Sequence, residues 1–245
     1  MATFTQLPAT SQILLNQSFL LGNIGAVFTS DPTNCPTWPA FAQSWHDLKQ
    51  DEYMGDGGSY RFRRYSEFAL EYGTRSLSVL PHKPYRQSKE DNYLNGEIDR
   101  LYSPMQENIQ ANEAFKQVLF SFADVMAPLV PPATWLVQVF QNRILATDSQ
   151  TGKPTPEGVH RDGVDFVLAL MIERGNVDGG ESSTYAQDGE TLQASVTLQE
   201  AGDFIFLNDQ LMKHSVQPIS RIDPGKEAYR DVLIAMFTQR PSVQS

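Results

Sequence analysis

Short apolar runs separated by turn formers dominate the second half of the chain. Trp135 to Leu145, Val164 to Ile172, Leu192 to Leu198, Asp203 to Leu207, His214 to Ile219 and Tyr229 to Thr238 each have the length and composition of a strand. Gly152, Gly158, Asn176, Gly179-Gly180, Asp188-Gly189, Gly202 and Pro224-Gly225 fall between them and predict turns. Upstream, Tyr60 to Phe68 sets aromatics against arginines in a strand-like alternation. Met105 to Met126 predicts the longest helix, with Ile109, Phe115, Leu119, Phe122 and Met126 along one stripe and Pro128 to Pro132 closing it. Thr10 to Leu20 and Pro39 to Gln50 predict two further helices, with Asp31-Pro32 and Cys35-Pro36 breaking the chain between them. The pattern gives a mainly β fold, a jelly roll braced on one side by N-terminal and central helices.

The 245 residues, 40% hydrophobic, suffice for one sizeable core. A single domain spanning 1–245 is expected, with a helical segment over 1–55 and a jelly-roll core over 56–245 into which a helix at about 105–127 is inserted. Nineteen basic residues against 29 acidic ones leave a net charge of −10, with no basic stripe to track phosphates. Nucleic acid and anionic membrane are therefore not expected partners. Cys35 is the only cysteine, which excludes an intrachain disulfide and a cysteine-based zinc site and fits a reducing cytoplasm. Met1 to Pro8 lacks the basic start of a secretory signal, and no apolar run approaches the ~18 residues of a membrane span.

The candidate chemistry sits in the strand-rich half. In His160-Arg161-Asp162 the first and third side chains of an extended segment point to the same side, so both can reach one ion while Arg161 turns away. His214 follows the Phe204-Ile205-Phe206-Leu207 run and a short turn, and supplies a third ligand from a facing strand. Two imidazoles and a carboxylate on one face of a metal leave the other face open, the arrangement of non-haem Fe(II) oxygenases. Arg230 opens the apolar run Val232 to Phe237, where a charge needs a partner, and a guanidinium there can grip a dicarboxylate such as 2-oxoglutarate. The competing explanation for Arg230 is an ion pair with Asp231. Two other function classes use similar residues: a zinc hydrolase, for which no general base stands at a recognisable spacing, and a cupin-like binding or sensing module without turnover.

Taken together, His160-Arg161-Asp162, Gly179-Gly180, His214-Ser215-Val216-Gln217-Pro218 and Tyr229-Arg230-Asp231-Val232-Leu233-Ile234 resemble the Fe(II)- and 2-oxoglutarate-dependent dioxygenases. Within that family the likeness is to the small bacterial group that includes L-isoleucine hydroxylases acting on free amino acids. Tyr60 to Ser66 and Trp135 to Val139 extend the resemblance upstream more weakly. The resemblance implies a double-stranded β-helix in which His160, Asp162 and His214 hold Fe(II), Arg230 pairs with the distal carboxylate of 2-oxoglutarate, and O2 is the second co-substrate. It implies hydroxylation, or sulfoxidation of a thioether, because family members that halogenate lack the carboxylate that Asp162 supplies. Arg61 and Arg63, on one strand face, match the family's donors to a substrate carboxylate, and Gln138 stands where a co-substrate contact is expected. Phe140 stands where the isoleucine hydroxylases tend to carry an arginine, so the substrate side chain stays open. The partner expected is a small molecule, a free aliphatic or sulfur-containing L-amino acid; the N-terminal helices either brace the barrel or form a homodimer contact.

Overall fold

A computed structural model describes residues 7–130 and 134–240. The N-terminal residues compared with a secretory signal and Pro131-Pro132 of the helix stop lie in part or whole outside them. The first half contains α1 (Ala9–Gln17), β1 (Phe19–Asn23), α2 (Ile24–Val27), α3 (Trp38–Gln43), β2 (Lys49–Gln50), β3 (Arg61–Glu71), β4 (Ser76–Val79), α4 (Glu107–Gln110) and α5 (Glu113–Met126). The second half contains β5 (Thr134–Ala146), β6 (Phe166–Gly175), β7 (Val177–Gly179), β8 (Glu181–Ala186), β9 (Leu192–Thr197), β10 (Asp203–Asn208), β11 (Met212–Val216), β12 (Ile219–Arg221) and β13 (Ala228–Arg240).

The strands form one large antiparallel sheet in the order β1-β10-β6-β13-β5-β3-β2, with β4 added to β3. A smaller sheet, β11-β8-β9, and the pair β12-β7 complete the second layer. This is the expected mainly β jelly roll with a helical brace. Along β13, Leu233, Ala235 and Phe237 join the cluster that holds α5 through Phe115, Leu119 and Phe122. Val232 and Met236 face the opposite way and join Val167, Ile205 and Leu207 in a second core between the sheets. Both faces of the strand are covered, which is why Val232 to Phe237 reads as a continuous apolar run rather than an alternation.

Four segments depart from the sequence expectation. The strand expected over His214 to Ile219 divides at Gln217-Pro218, with β11 ending at Val216 and β12 starting at Ile219. The helix expected over Thr10 to Leu20 stops at Gln17, where Ser18 adopts a left-handed conformation (φ 65°), and Phe19–Asn23 becomes an edge strand on β10. A short apolar run carries no period of its own, so Phe19-Leu20-Leu21 suits either state and the free edge of β10 decides it. The helix expected over Pro39 to Gln50 ends at Gln43 and continues as a 3-10 turn to Asp47, after which Lys49-Gln50 pairs with β3.

The helix expected over Met105 to Met126 divides at Asn112. Its backbone is extended, and its side-chain oxygen accepts from the Phe115 amide, so α5 starts afresh at Glu113. Asn112 also donates to the Thr37 carbonyl at 3.0 Å, tying α5 to the N-terminal segment. We predict that Asn112→Ala lowers stability by about 1–2 kcal/mol. A chemical denaturation curve should show a lower midpoint with an unchanged slope, and an unmoved midpoint would remove the cap from the account.

Candidate active site

His160 and Asp162 lie on the loop that enters β6, and His214 lies on β11. Two backbone hydrogen bonds join them, His160 N to His214 O at 3.0 Å and His214 N to His160 O at 2.8 Å. The loop is held from below by Asp209, a 1% exposed residue whose carboxylate accepts the amides of Asp162 (3.0 Å), Gly163 (2.7 Å) and Val164 (3.1 Å). Gly163 permits this turn: its φ is +80°, and a Cβ there would come within 2.6 Å of Asp91. Sequence reasoning missed Asp209; its place just beyond the β10 strand, on the approach to His214, was the available signal.

One donor atom from each of His160, Asp162 and His214 falls within 4.8 Å of the others. His214 Nε2 lies 3.4 Å from Asp162 Oδ2, and His160 Nε2 lies 3.9 Å from Asp162 Oδ1. An ion bonded at roughly 2.1 Å to each of two cis ligands puts them ~3 Å apart, so the three residues fit a first-row metal after a small closure. Because a carbonyl only accepts, His160 Nδ1, 3.0 Å from the Gly158 oxygen, carries the hydrogen and leaves Nε2 for the ion. Burial, with His160 adjacent, drives the His214 pKa down to about 3, which keeps that ring in its metal-binding form. Burial also opposes a charge on His160, but Asp162 and Glu157 outweigh it and raise its pKa, so metal binding there displaces a proton.

The triad opens into a cavity of about 1050 Å³, mouth included, between the two sheets. Arg230 lines it and is 4% exposed. The alternative of an Arg230–Asp231 ion pair fails, because Asp231 points the other way into a bidentate bridge with Arg143 at 2.7 and 2.8 Å. Arg230 Nε has no partner among the described residues, and burial together with neighbouring Arg174 lowers the pKa to about 10. The Ser182 hydroxyl on the same cavity wall is also buried and unpartnered. A buried cation and a buried hydroxyl, both unsatisfied, fit an anion with several acceptor oxygens. Gly180 passes close by, where a Cβ would stand 3.4 Å from Arg230 Cδ.

Arg61 and Arg63 line the same cavity from one face of β3, as expected. The Nε atoms of both reach one oxygen of Asp51, at 2.8 and 3.2 Å, so two cations share one buried anion. Arg63 also lies over Phe140 (4.9 Å) and Tyr102 (5.1 Å). Gln138 is not brought into the cavity. It lies opposite Glu67, one row beyond the Tyr65–Phe140 aromatic pair, and its amide donates to Tyr65 Oη (2.8 Å) and Glu67 Oε1 (3.0 Å). Two lining residues had no signal in the sequence pattern. Arg100, 2% exposed, makes no ion pair among the described residues and stacks on Tyr85, while Glu157 shares the wall near His160.

A family model described as 2OG-Fe dioxygenase matches residues 42–236, and the chain belongs to that family. Fe(II), 2-oxoglutarate and O2 are accordingly its metal and co-substrates. Among relatives, 3(1)-hydroxy-L-isoleucine 4-dioxygenase of Pantoea ananatis is 27% identical over 165 residues, which is 66% of this chain and 66% of that protein. L-isoleucine-4-hydroxylase of Bacillus thuringiensis is 21% identical over 80% of each chain. The crystal structure of a bsmA homolog from Methylobium petroleophilum is 28% identical, with a TM-score of 0.84 over 98% of this chain and 97% of that one.

An uncompensated buried charge destabilises the chain that carries it. Arg230→Met should therefore leave thermal stability unchanged or higher without 2-oxoglutarate, while abolishing the rise in Tm that 2-oxoglutarate gives the parent. A Tm several degrees lower in the ligand-free variant would show that Arg230 has a structural partner instead.

Proposed function

We propose that this protein is a hydroxylase of a free L-amino acid with an aliphatic or sulfur-containing side chain, working in the cytoplasm. His160, Asp162 and His214 hold Fe(II), and Arg230 holds the distal carboxylate of 2-oxoglutarate. The observation that carries the reading is the buried, unpaired Arg230 in the same cavity as a three-ligand metal set. The two relatives named for oxidation of hydroxy-L-isoleucine and L-isoleucine support a small amino-acid substrate.

When bound, Fe(II) with 2-oxoglutarate supplies activation of O2, coupled to release of CO2 and succinate and insertion of oxygen into a C–H bond or a thioether. The chain's own residues position and shield. Arg230 gives the co-substrate a bidentate charged anchor. Asp209 holds the backbone from Asp162 to Val164, so that the loop carrying Asp162 needs only a small closure onto the metal. Arg61 and Arg63 carry one more positive charge than Asp51 cancels and offer donors to a substrate carboxylate. Val167, Ile205, Ile234 and Met236 give the cavity an apolar wall for an aliphatic or thioether side chain. Asp162 would supply the carboxylate ligand that halogenating members of the family lack, which favours oxygen insertion.

The test is succinate production from 2-oxoglutarate with Fe(II), ascorbate and a panel of free L-amino acids, each followed by mass for a gain of one oxygen. Coupled turnover with at least one aliphatic or sulfur-containing member is expected. A panel with no coupled member would sink the free amino-acid reading and direct attention to carrier-bound substrates. Asp162→Ala and His214→Ala should each reduce turnover by at least roughly 1000-fold while circular dichroism stays that of the parent; retained turnover would remove that residue from the ligand set.

A further inference from the structure

Apart from Asp162, Glu157 is the one carboxylate on the cavity wall among the described residues. Its side chain is 11% exposed, and its Oε1 lies 3.5 Å from His160 Nε2. That nitrogen is the one directed to the metal, because Nδ1 spends its hydrogen on the Gly158 carbonyl. With Nε2 reserved for the ion, His160 offers the Glu157 carboxylate no lasting hydrogen-bond donor. No other donor reaches Glu157 among the described residues, so a largely buried carboxylate beside the reacting centre is left without a hydrogen bond, a costly state unless a ligand supplies the donor.

The surroundings indicate what that donor is. Glu157 stands where the inner cavity meets an outer cleft lined by Glu90 and Asp91, so its ligand enters from the mouth, whereas Arg230 lies in the inner cavity and does not line that cleft. Arg61 lines the same cavity but makes no ion pair with Glu157, since its Nε is engaged with Asp51. The one cavity is thus walled by an unpaired carboxylate and by an arginine pair that carries one more positive charge than Asp51 cancels. An α-amino acid head group has the complementary charges in that order.

We infer that Glu157 accepts the α-ammonium of the substrate, opposite the Arg61–Arg63 pair that receives its carboxylate, and so fixes which carbons face the metal. The assignment rests on the amino-acid reading above and adds a specificity residue to it. A charged pair truncated on one side in a buried site loses two or more powers of ten in affinity when its cost is near 3 kcal/mol.

Calorimetric titration tests it, with parent and Glu157→Gln loaded anaerobically with Fe(II) and 2-oxoglutarate so that binding is read without turnover. The probes are L-isoleucine and L-methionine and the 2-hydroxy acids that replace their ammonium with a hydroxyl. The expected result is that Glu157→Gln weakens the amino acids roughly 100-fold, changes the hydroxy acids less than about threefold, and leaves the Fe(II) and 2-oxoglutarate affinities as in the parent. Equal losses for amino and hydroxy acids, or a large loss of Fe(II) affinity, would overturn the assignment and make Glu157 a packing residue or a metal ligand. Amino-acid binding left intact by Glu157→Gln overturns the assignment alone. No binding of either amino acid to the parent overturns it together with the amino-acid reading.

Discussion

The central strands of the large sheet are buried on both faces, and the two faces have opposite requirements. The face toward α5 is dry and is satisfied by Leu233, Ala235 and Phe237 with the helix aromatics. The other face must close a core at one end and hold charges at the other. Cross-strand register makes the division. Arg61, Ile144, Arg230 and Arg174 stand opposite one another in a single row across β3, β5, β13 and β6, while Tyr65, Phe140, Ile234 and Ala169 form a parallel row further along. A slip of one residue in β13 would exchange Arg230 for Asp231 and empty the row of its anchor.

That division also explains what could be read from the residues alone. Burial on both faces writes near-continuous apolar runs into the sequence, so β5, β6, β10 and β13 were legible to within a few residues. The pairs His160–Asp162 and Arg61–Arg63 were legible because a spacing of two on an extended chain places side chains on one side, and His214 because it follows the Phe204 to Leu207 run and a short turn. β8 was not legible: its Ser182, Ser183 and Thr184 are buried yet polar, and a strand that faces a polar site carries no hydrophobic signature. Asp209, Arg100 and Glu157 were not legible for a related reason, since each reaches the site from a loop whose path no local pattern encodes. Gln138 was misplaced because a strand motif gives the face on which a residue lies and not how far along the cavity extends.

The site stores charge that the rest of the fold does not neutralise. Asp231 would be the nearest counterion in sequence to Arg230, and the pleat sends it to the opposite face, where Arg143 takes it. Arg174, beside Arg230 in the row, spends its hydrogen bonds on the carbonyls of Leu198, Val177 and Gly179 and adds repulsion rather than relief. Such an arrangement costs stability in the ligand-free chain and is retained where a ligand repays it.

The filling of the site follows the same electrostatics. An anion arriving at Arg230 relieves a buried charge whose Nε has no partner among the described residues. With His160 Nε2 directed to the metal, Glu157 is left without a hydrogen-bond donor among the described residues. A substrate head group entering from the mouth therefore meets a cavity whose charges match it when metal and co-substrate are already in place, and match it less well before.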